Sequence, residues 1–343
     1  MADDYFKLST EEKRDVLAIA SNESGRPAHL LEKDIWVVWA LRQLYESAEA
    51  DHLVFKGGTS LSKAYRVIQR FSEDIDITYD IRVIAADLVA QTPDGLPTTR
   101  SQQERWTADI RNRLKEWLAG MMLPYFQEYL SRTDNSAKVS ATDECIIIDY
   151  EPVATGTGYV APRIKIEFGA RSDGEPSETH TITTDAAPYL NEIVFPECNV
   201  RTMAAERTFW EKATAIHVFC LQGKLHGERF ARHWYDVAQL DKIGLVNRAL
   251  QNCELAKKVA EHKSIFFREK DSDGNLIDYQ IATNGRLHLV PEGEAREILS
   301  DDYRKMIEDG LLPEEAETFD EIMARCADIE RRANKADDQS HLR

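Results

Sequence analysis

Hydrophobic and polar positions along the chain repeat with two periods. From 10 to 48 the period is helical. Ser9, Thr10, Glu11 and Glu12 make a helix start, a capping hydroxyl followed by early acids. Gly25-Arg26-Pro27 breaks the run, and HLLEKDIWVVWALRQLY then sets Leu30, Ile35, Val38 and Leu41 near one face. A short strand over 53–55 runs into a glycine turn, and the spacing predicts a helix over 60–69 with Leu61, Ala64, Tyr65 and Ile68 inward. DIDITYDI alternates strictly and predicts a strand. Residues 92–104 read as a polar loop before a helix over 105–131. CIIIDY and RIKIEFGA are strands, joined by the Gly-rich ATGTGYVAP as a hairpin connection. After EIVFPECNVRT the pattern turns helical, over 204–221, 229–241, 244–262 and several pieces beyond 296. The fold expected is α+β: a small mixed sheet with helices over 1–200, and a helical region over 201–343 packed on that core.

The strand periods place chemistry on particular faces. Asp74 and Asp76 point one way while Ile75 and Ile77 point the other. Two carboxylates on one face repel unless a cation sits between them, and magnesium favours such an oxygen-rich site. Gly57 and Gly58 let the backbone turn tightly and approach a ligand closely. The following helix aims its free N–H groups at the same turn, where Thr59 and Ser60 add hydroxyls. A triphosphate needs both parts, amide donors and metal. The alternative is an ordinary turn beside a solvated acidic strand.

RIKIEFGA puts Arg163, Lys165 and Glu167 on one face and Ile164, Ile166 and Phe168 on the other. Beside the DID strand, Glu167 becomes a third carboxylate for two-metal chemistry; otherwise the strand is a charge-paired surface. In RTMAAERTFWEKATAIHVF, Phe209, Ala213 and Ile216 form the inward stripe and Lys212 lies beside it, able to meet a phosphate as a point charge. Further on come Arg229, Arg232, His233 and Asp236, and residues 201–235 are locally positive. That stretch is the place for a groove facing RNA or triphosphate. The nine histidines form no metal-ligand pattern, and His226 and His233 read as structural or surface residues.

Composition narrows the class. The 343 residues are 43% hydrophobic and 30% charged, as in a globular protein. A net charge of −17 argues against coating nucleic acid through overall charge, while permitting a local basic groove. Cys145, Cys198, Cys220, Cys253 and Cys326 are scattered, with no CxxC pair. With a start that lacks a basic-then-apolar leader, they suggest a reducing, cytoplasmic setting. No apolar run approaches the roughly 18 residues of a membrane span.

FKGGTSLSKAY, RFSEDIDI, RIKIEFG, ERTFWEKATAIH and RHWYDVAQL, in that order, resemble the AbiEii/AbiGii toxin family of nucleotidyltransferases. LLEKDIWVVWAL is similar to that family's first core helix, and SIFFREK, LHLVP and DDYRKMI to its C-terminal helical region. The resemblance implies a polymerase-β-like nucleotidyltransferase core and a toxin of bacterial toxin–antitoxin and phage-defence systems. On matching positions it implies Gly57 and Gly58, followed by Ser60, as the phosphate turn. Asp74 and Asp76 match the metal-binding pair, Glu167 the third acid, Lys212 the nucleotide-contacting lysine and Asp236 the later aspartate. The gap from Gly58 to Asp74 is slightly long for the superfamily and similar to this toxin family. The expected reaction is Mg2+-dependent transfer of NMP from an NTP to an RNA 3′ end, with a tRNA acceptor stem as the substrate and a cognate antitoxin as partner. Two alternatives are NMP transfer to a protein hydroxyl and a non-catalytic nucleotide-binding module.

Overall fold

A computed structural model describes residues 3–72, 74–134, 136–156, 160–223, 225, 229–308, 310–312 and 315–335. The chain divides into two compact units. The first is Met1–Tyr65 with Phe71–Met203, and the second is Arg66–Arg70 with Ala204–Arg343.

The first unit is α+β. Its mixed sheet comprises β1 (Leu53–Lys56), β2 (Asp74–Tyr79), β3 (Lys138–Ala141), β4 (Cys145–Asp149), β5 (Arg163–Gly169), β6 (Ser177–Thr183) and β7 (Glu197–Met203). In space the order is β3-β4-β5-β2-β1-β7-β6. The central strand β2 is antiparallel to β1 and parallel to β5. Strict alternation gives the sheet two unlike faces. Ile75, Ile77, Ile146, Ile148, Ile164 and Ile166 are all fully buried on one of them.

Helices α1 (Thr10–Ser24) and α2 (Ala28–Glu46) precede the sheet. Ser9 and Glu12 cap α1 reciprocally, and Gly25 ends it with a φ of +72°. Next come α3 (Gly57–Lys63), α4 (Arg100–Trp117) and α5 (Leu123–Thr133), the last two joined by a π-helical turn, Leu118–Met122. Trp117 stacks on Tyr79 at 4.6 Å between ring centroids and meets Phe168 edge-on at 5.4 Å. Trp36 of α2 stacks on Tyr150 at 5.1 Å. Each such pair adds about 0.5–1.5 kcal/mol beyond the area it buries.

Buried charge also shapes α2. Glu32, Lys33 and Asp34 are 2%, 3% and 5% exposed. Glu32 accepts from the N–H groups of Val153 and Ala154, at 2.8 and 3.0 Å. Lys33 Nζ donates to the Ala161 carbonyl at 3.0 Å. Partners of this kind make burial of ionised groups tolerable.

Several boundaries differ from the sequence expectation. The helix expected over 60–69 begins at Gly57 and stops at Lys63, and Arg66 then takes a φ of +54°, which no right-handed helix accommodates. The helix expected from 105 begins at Arg100, because Thr99 and Gln102 form a capping box. The strands β3, β6 and β7 carry no prior expectation. The CIIIDY and RIKIEFG strands do pair antiparallel; residues 157–159 of their connection lie outside the described residues.

The second unit is helical: α6 (Ala205–Gln222), α7 (Ala231–Lys242), α8 (Leu245–Gln251), α9 (Cys253–Phe266), α10 (Gly293–Glu308) and α11 (Phe319–Lys335) are its longer elements. Phe209, Ala213 and Ile216 are fully buried, as the stripe on α6 predicts. Asp302 caps α7 by accepting from the N–H groups of Arg229 and Ala231, both at 2.7 Å. The single helix expected over 244–262 is two, because Asn252 leaves helical geometry and its side chain accepts from Leu255 N to start α9. His226 lies outside the described residues. Among the described residues no helix is long and apolar enough to cross a membrane.

Candidate active site

The exposed sheet face is built by strand register. Lys56 of β1 pairs with Asp76 of β2, and Asp76 pairs with Glu167 of β5. One step along, Asp74 pairs with Lys165. Register partners point to the same side, roughly 4.8 Å apart from strand to strand. Lys56, Asp74, Asp76, Lys165 and Glu167 therefore share the face opposite the buried isoleucines. Lys165 is ion-paired to Glu167 Oε1. The hydrogen bond to Glu167 raises the Lys165 pKa, burial opposes it, and the charges of Glu167 and Asp74 add to the rise.

β1 delivers the chain into α3 through Gly57, whose φ is +77°. A β-carbon at Gly57 would lie 2.1 Å from Asp76 Oδ2 and 2.8 Å from its Cγ. Only a bare α-carbon fits there. Thr59 and Ser60 are 1% and 0% exposed. Thr59 Oγ1 donates to the Asp74 carbonyl at 2.5 Å and stands 2.9 Å from Ser72 Oγ. Ser60 Oγ donates to the Gly57 carbonyl at 2.9 Å. These two hydroxyls tie the turn to β2 and to itself.

The far end of α3 is anchored by charge. Lys63 Nζ contacts Asp34 Oδ1 at 2.6 Å and Asp185 Oδ1 at 2.8 Å, while Arg26 holds the other oxygen of Asp185 at 2.6 Å. Asp34 also accepts from Asp185 N at 2.6 Å. Burial by itself lowers the Lys63 pKa, but Asp34 and Asp185 outweigh it and hold that pKa above the ordinary lysine value. The short helix is thus fixed at both ends.

Lys212 and Asp236 belong to the second unit, where they meet. Lys212 Nζ lies 2.9 Å from Asp236 Oδ2. Arg70 grips the same carboxylate with two bonds, Nε to Oδ1 at 2.6 Å and a terminal nitrogen to Oδ2 at 2.8 Å. Asp236 is 0% exposed. Burial would raise its pKa, yet the two cations hold it well below the carboxylate range. His233 is kept neutral, chiefly by burial and then by the nearby Lys212 charge.

Sequence reasoning alone did not mark Lys56, Lys63, Asp34, Asp185 or Arg70. Lys165 was visible as a face-mate of Glu167, but its neighbour Asp74 depends on strand pairing. Among the described residues no group of three or more His, Cys, Asp or Glu side chains is gathered to hold a metal. The face offers carboxylate oxygens on adjacent strands. Magnesium commonly takes one or two carboxylates and lets water and substrate phosphates complete its shell, so this donor set suits a hard divalent ion.

The family model for the nucleotidyl transferase AbiEii toxin of type IV toxin–antitoxin systems matches residues 39–325. No curated protein sequence matches the chain. Among solved structures, the chain is similar to MenT4, a nucleotidyltransferase toxin from Mycobacterium tuberculosis H37Rv. Identity is 16% and the TM-score 0.42, over 94% of this chain and 88% of that one. It is also similar to JHP933 from Helicobacter pylori, at 16% identity and a TM-score of 0.38, over 91% of this chain and 93% of that one. Matched over most of its length, the chain belongs to the AbiEii family of nucleotidyltransferase toxins of type IV toxin–antitoxin systems.

Proposed function

We propose that this toxin transfers the NMP of an NTP to the 3′ end of an RNA, a tRNA acceptor stem, and releases pyrophosphate. One observation carries the reading. Asp74 and Asp76 share a sheet face, and the Asp76 carboxylate rests against the bare α-carbon of Gly57. A polyphosphate can then approach backbone closely while its charge faces a carboxylate-held cation.

In this reading Asp74 and Asp76 would hold magnesium, and Glu167, on the same face of the neighbouring strand, would join them once the ion is in place. When bound, the ion supplies charge neutralisation on the phosphates and acidifies the attacking hydroxyl. The RNA hydroxyl oxygen gives up its proton to water and forms a bond to the α-phosphorus as the bond from that phosphorus to pyrophosphate breaks. Gly57 and Gly58 leave room for the phosphates, and Thr59 and Ser60 hold the turn in shape through their carbonyl partners. Glu167 serves the attacking side. For Lys212 and Asp236 a nucleotide-contacting role rests on the family resemblance alone. The tRNA acceptor rests on it too: a blocked acceptor end stops aminoacylation. A cognate antitoxin is the partner a type IV system implies. The cytoplasm, where NTP and tRNA meet, is the setting, and five free thiols agree with it.

The test is incubation with each of four α-labelled NTPs, total RNA and Mg2+. Label at RNA 3′ ends with matching pyrophosphate release is expected. Asp76→Asn should lower the rate at least roughly 100-fold with the melting curve retained. Label only in protein would reject the RNA acceptor, and no pyrophosphate with any nucleotide would reject nucleotidyl transfer.

A further inference from the structure

The acid face carries positive charge of its own. Three carboxylates, Asp74, Asp76 and Glu167, sit with two lysines, Lys56 and Lys165, on three neighbouring strands. Their arrangement is not random. Lys56 flanks Asp76 from β1, and Lys165 stands in register with Asp74 while pairing to Glu167 on its own strand. Carboxylates that share one face of neighbouring strands repel one another unless a cation offsets them. In this structure the Lys165 ammonium is ion-paired to Glu167, and the strand register makes Asp74 its neighbour on β2. An ion that takes Glu167 as a ligand competes with that ammonium for the carboxylate's charge. The side chains of Lys165 and Glu167 are 42% and 41% exposed. A pair so open to water is weak enough to exchange.

We propose that Lys165 is the resident counter-cation of the acid face, holding Glu167 until a divalent ion takes its place. The inference rests on the assignment of Asp74, Asp76 and Glu167 as the metal-holding acids. It adds a positioning residue that sets how tightly those acids take an ion before nucleotide arrives. Once released from Glu167, the ammonium stays on the same face beside Asp74, within reach of an incoming phosphate oxygen. Ion entry and polyphosphate capture are then coupled through one side chain.

The test measures Mn2+ binding to the full-length protein without nucleotide, from the electron paramagnetic resonance signal of free Mn2+. Lys165→Met keeps the length of the side chain and removes its charge. It should bind Mn2+ on the order of tenfold more tightly than the wild type, equivalent to about 1.4 kcal/mol. Lys165→Gln carries the same expectation, and Lys165→Arg, which keeps the charge, should stay near the wild-type affinity. Adding Asp76→Asn to Lys165→Met should remove the gain. If neither neutral variant binds more tightly while Asp76→Asn still weakens binding, the role of Lys165 is wrong and the acid site survives. If Mn2+ binding is absent throughout, or indifferent to Asp76→Asn, the acid site itself fails and the inference falls with it.

Discussion

Asp76 and Gly57 meet as a carboxylate against a bare α-carbon, with 2.1 Å between Asp76 Oδ2 and the place a β-carbon would occupy. Two separate constraints converge on that glycine. Its φ of +77° disfavours any L side chain, and the carboxylate fills the space one would need. The antiparallel pairing of Lys56 with Asp76 brings β1 and β2 together one residue before the turn.

Gly57→Ala should therefore damage both stability and transfer. The backbone strain alone costs about 1–3 kcal/mol, and the new methyl pushes Asp76 off its position. Urea unfolding and the NMP-transfer assay check the two effects. A Gly57→Ala variant of wild-type activity would show that the close approach has no part in the reaction.

Lys63 is expected to matter through α3, without touching substrate. Lys63→Met leaves Asp34, 5% exposed, buried without its ammonium. Breaking a buried pair in this way costs about 3–5 kcal/mol. The double variant Lys63→Met with Asp34→Asn should recover much of that loss, since both charges are then gone and an amide oxygen still accepts from Asp185 N. Denaturant midpoints of the two proteins provide the comparison. An equal loss in both would mean that packing, and not charge, is what Lys63 contributes.

His217 gives the second unit a pH dependence. It is 1% exposed, and its Nδ1 accepts from His288 N at 3.1 Å, which requires a neutral ring. Burial, helped by the charge on His288, pushes its pKa down to about 4 from 6.5. The unfolded chain then takes up a proton below pH 6.5 that the folded chain refuses until about pH 4. Stability is full above pH 6.5 and falls across that window, by on the order of 3 kcal/mol for this group. His217→Asn keeps an acceptor for His288 N without the titration. Its unfolding free energy should fall less than the wild type's between pH 7 and pH 4.5. Parallel losses in the two proteins would assign the acid sensitivity to other groups.

Much of the fold is legible because its strands alternate cleanly. Asp74–Tyr79 and Arg163–Gly169 show their apolar face in the sequence, and so does the stripe of Phe209, Ala213 and Ile216. The edge strand Ser177–Thr183 is not legible, since Ile182 is its one fully buried residue and the rest is polar. Residues Glu32, Lys33 and Asp34 interrupt an apolar helix for reasons that lie far along the chain, at Val153, Ala161 and Lys63. Periodicity detects burial of apolar groups and says nothing of buried charges. At the candidate site, the shared face of Asp74 and Asp76 follows from alternation alone. The contact of Asp76 with Gly57 and the neighbouring of Lys165 with Asp74 need the register, which local sequence does not encode. Asp236 reads as a polar position on a helix; its two cations are contributed by Arg70 and Lys212.

The five residues Arg66–Arg70 sit in the chain between the glycine helix and the acid strand, yet they belong to the second unit. Arg70 carries this membership through its two bonds to Asp236. On a ribosome, then, the peptide that links turn to acids waits for more than a hundred and sixty further residues before its carboxylate partner is made. A fragment ending at residue 203 would keep every acid of the sheet and still lack the group that secures their connecting segment. Any truncation of this toxin that stops short of Asp236 therefore keeps 66–70 while removing the carboxylate that Arg70 holds from the far end of the chain.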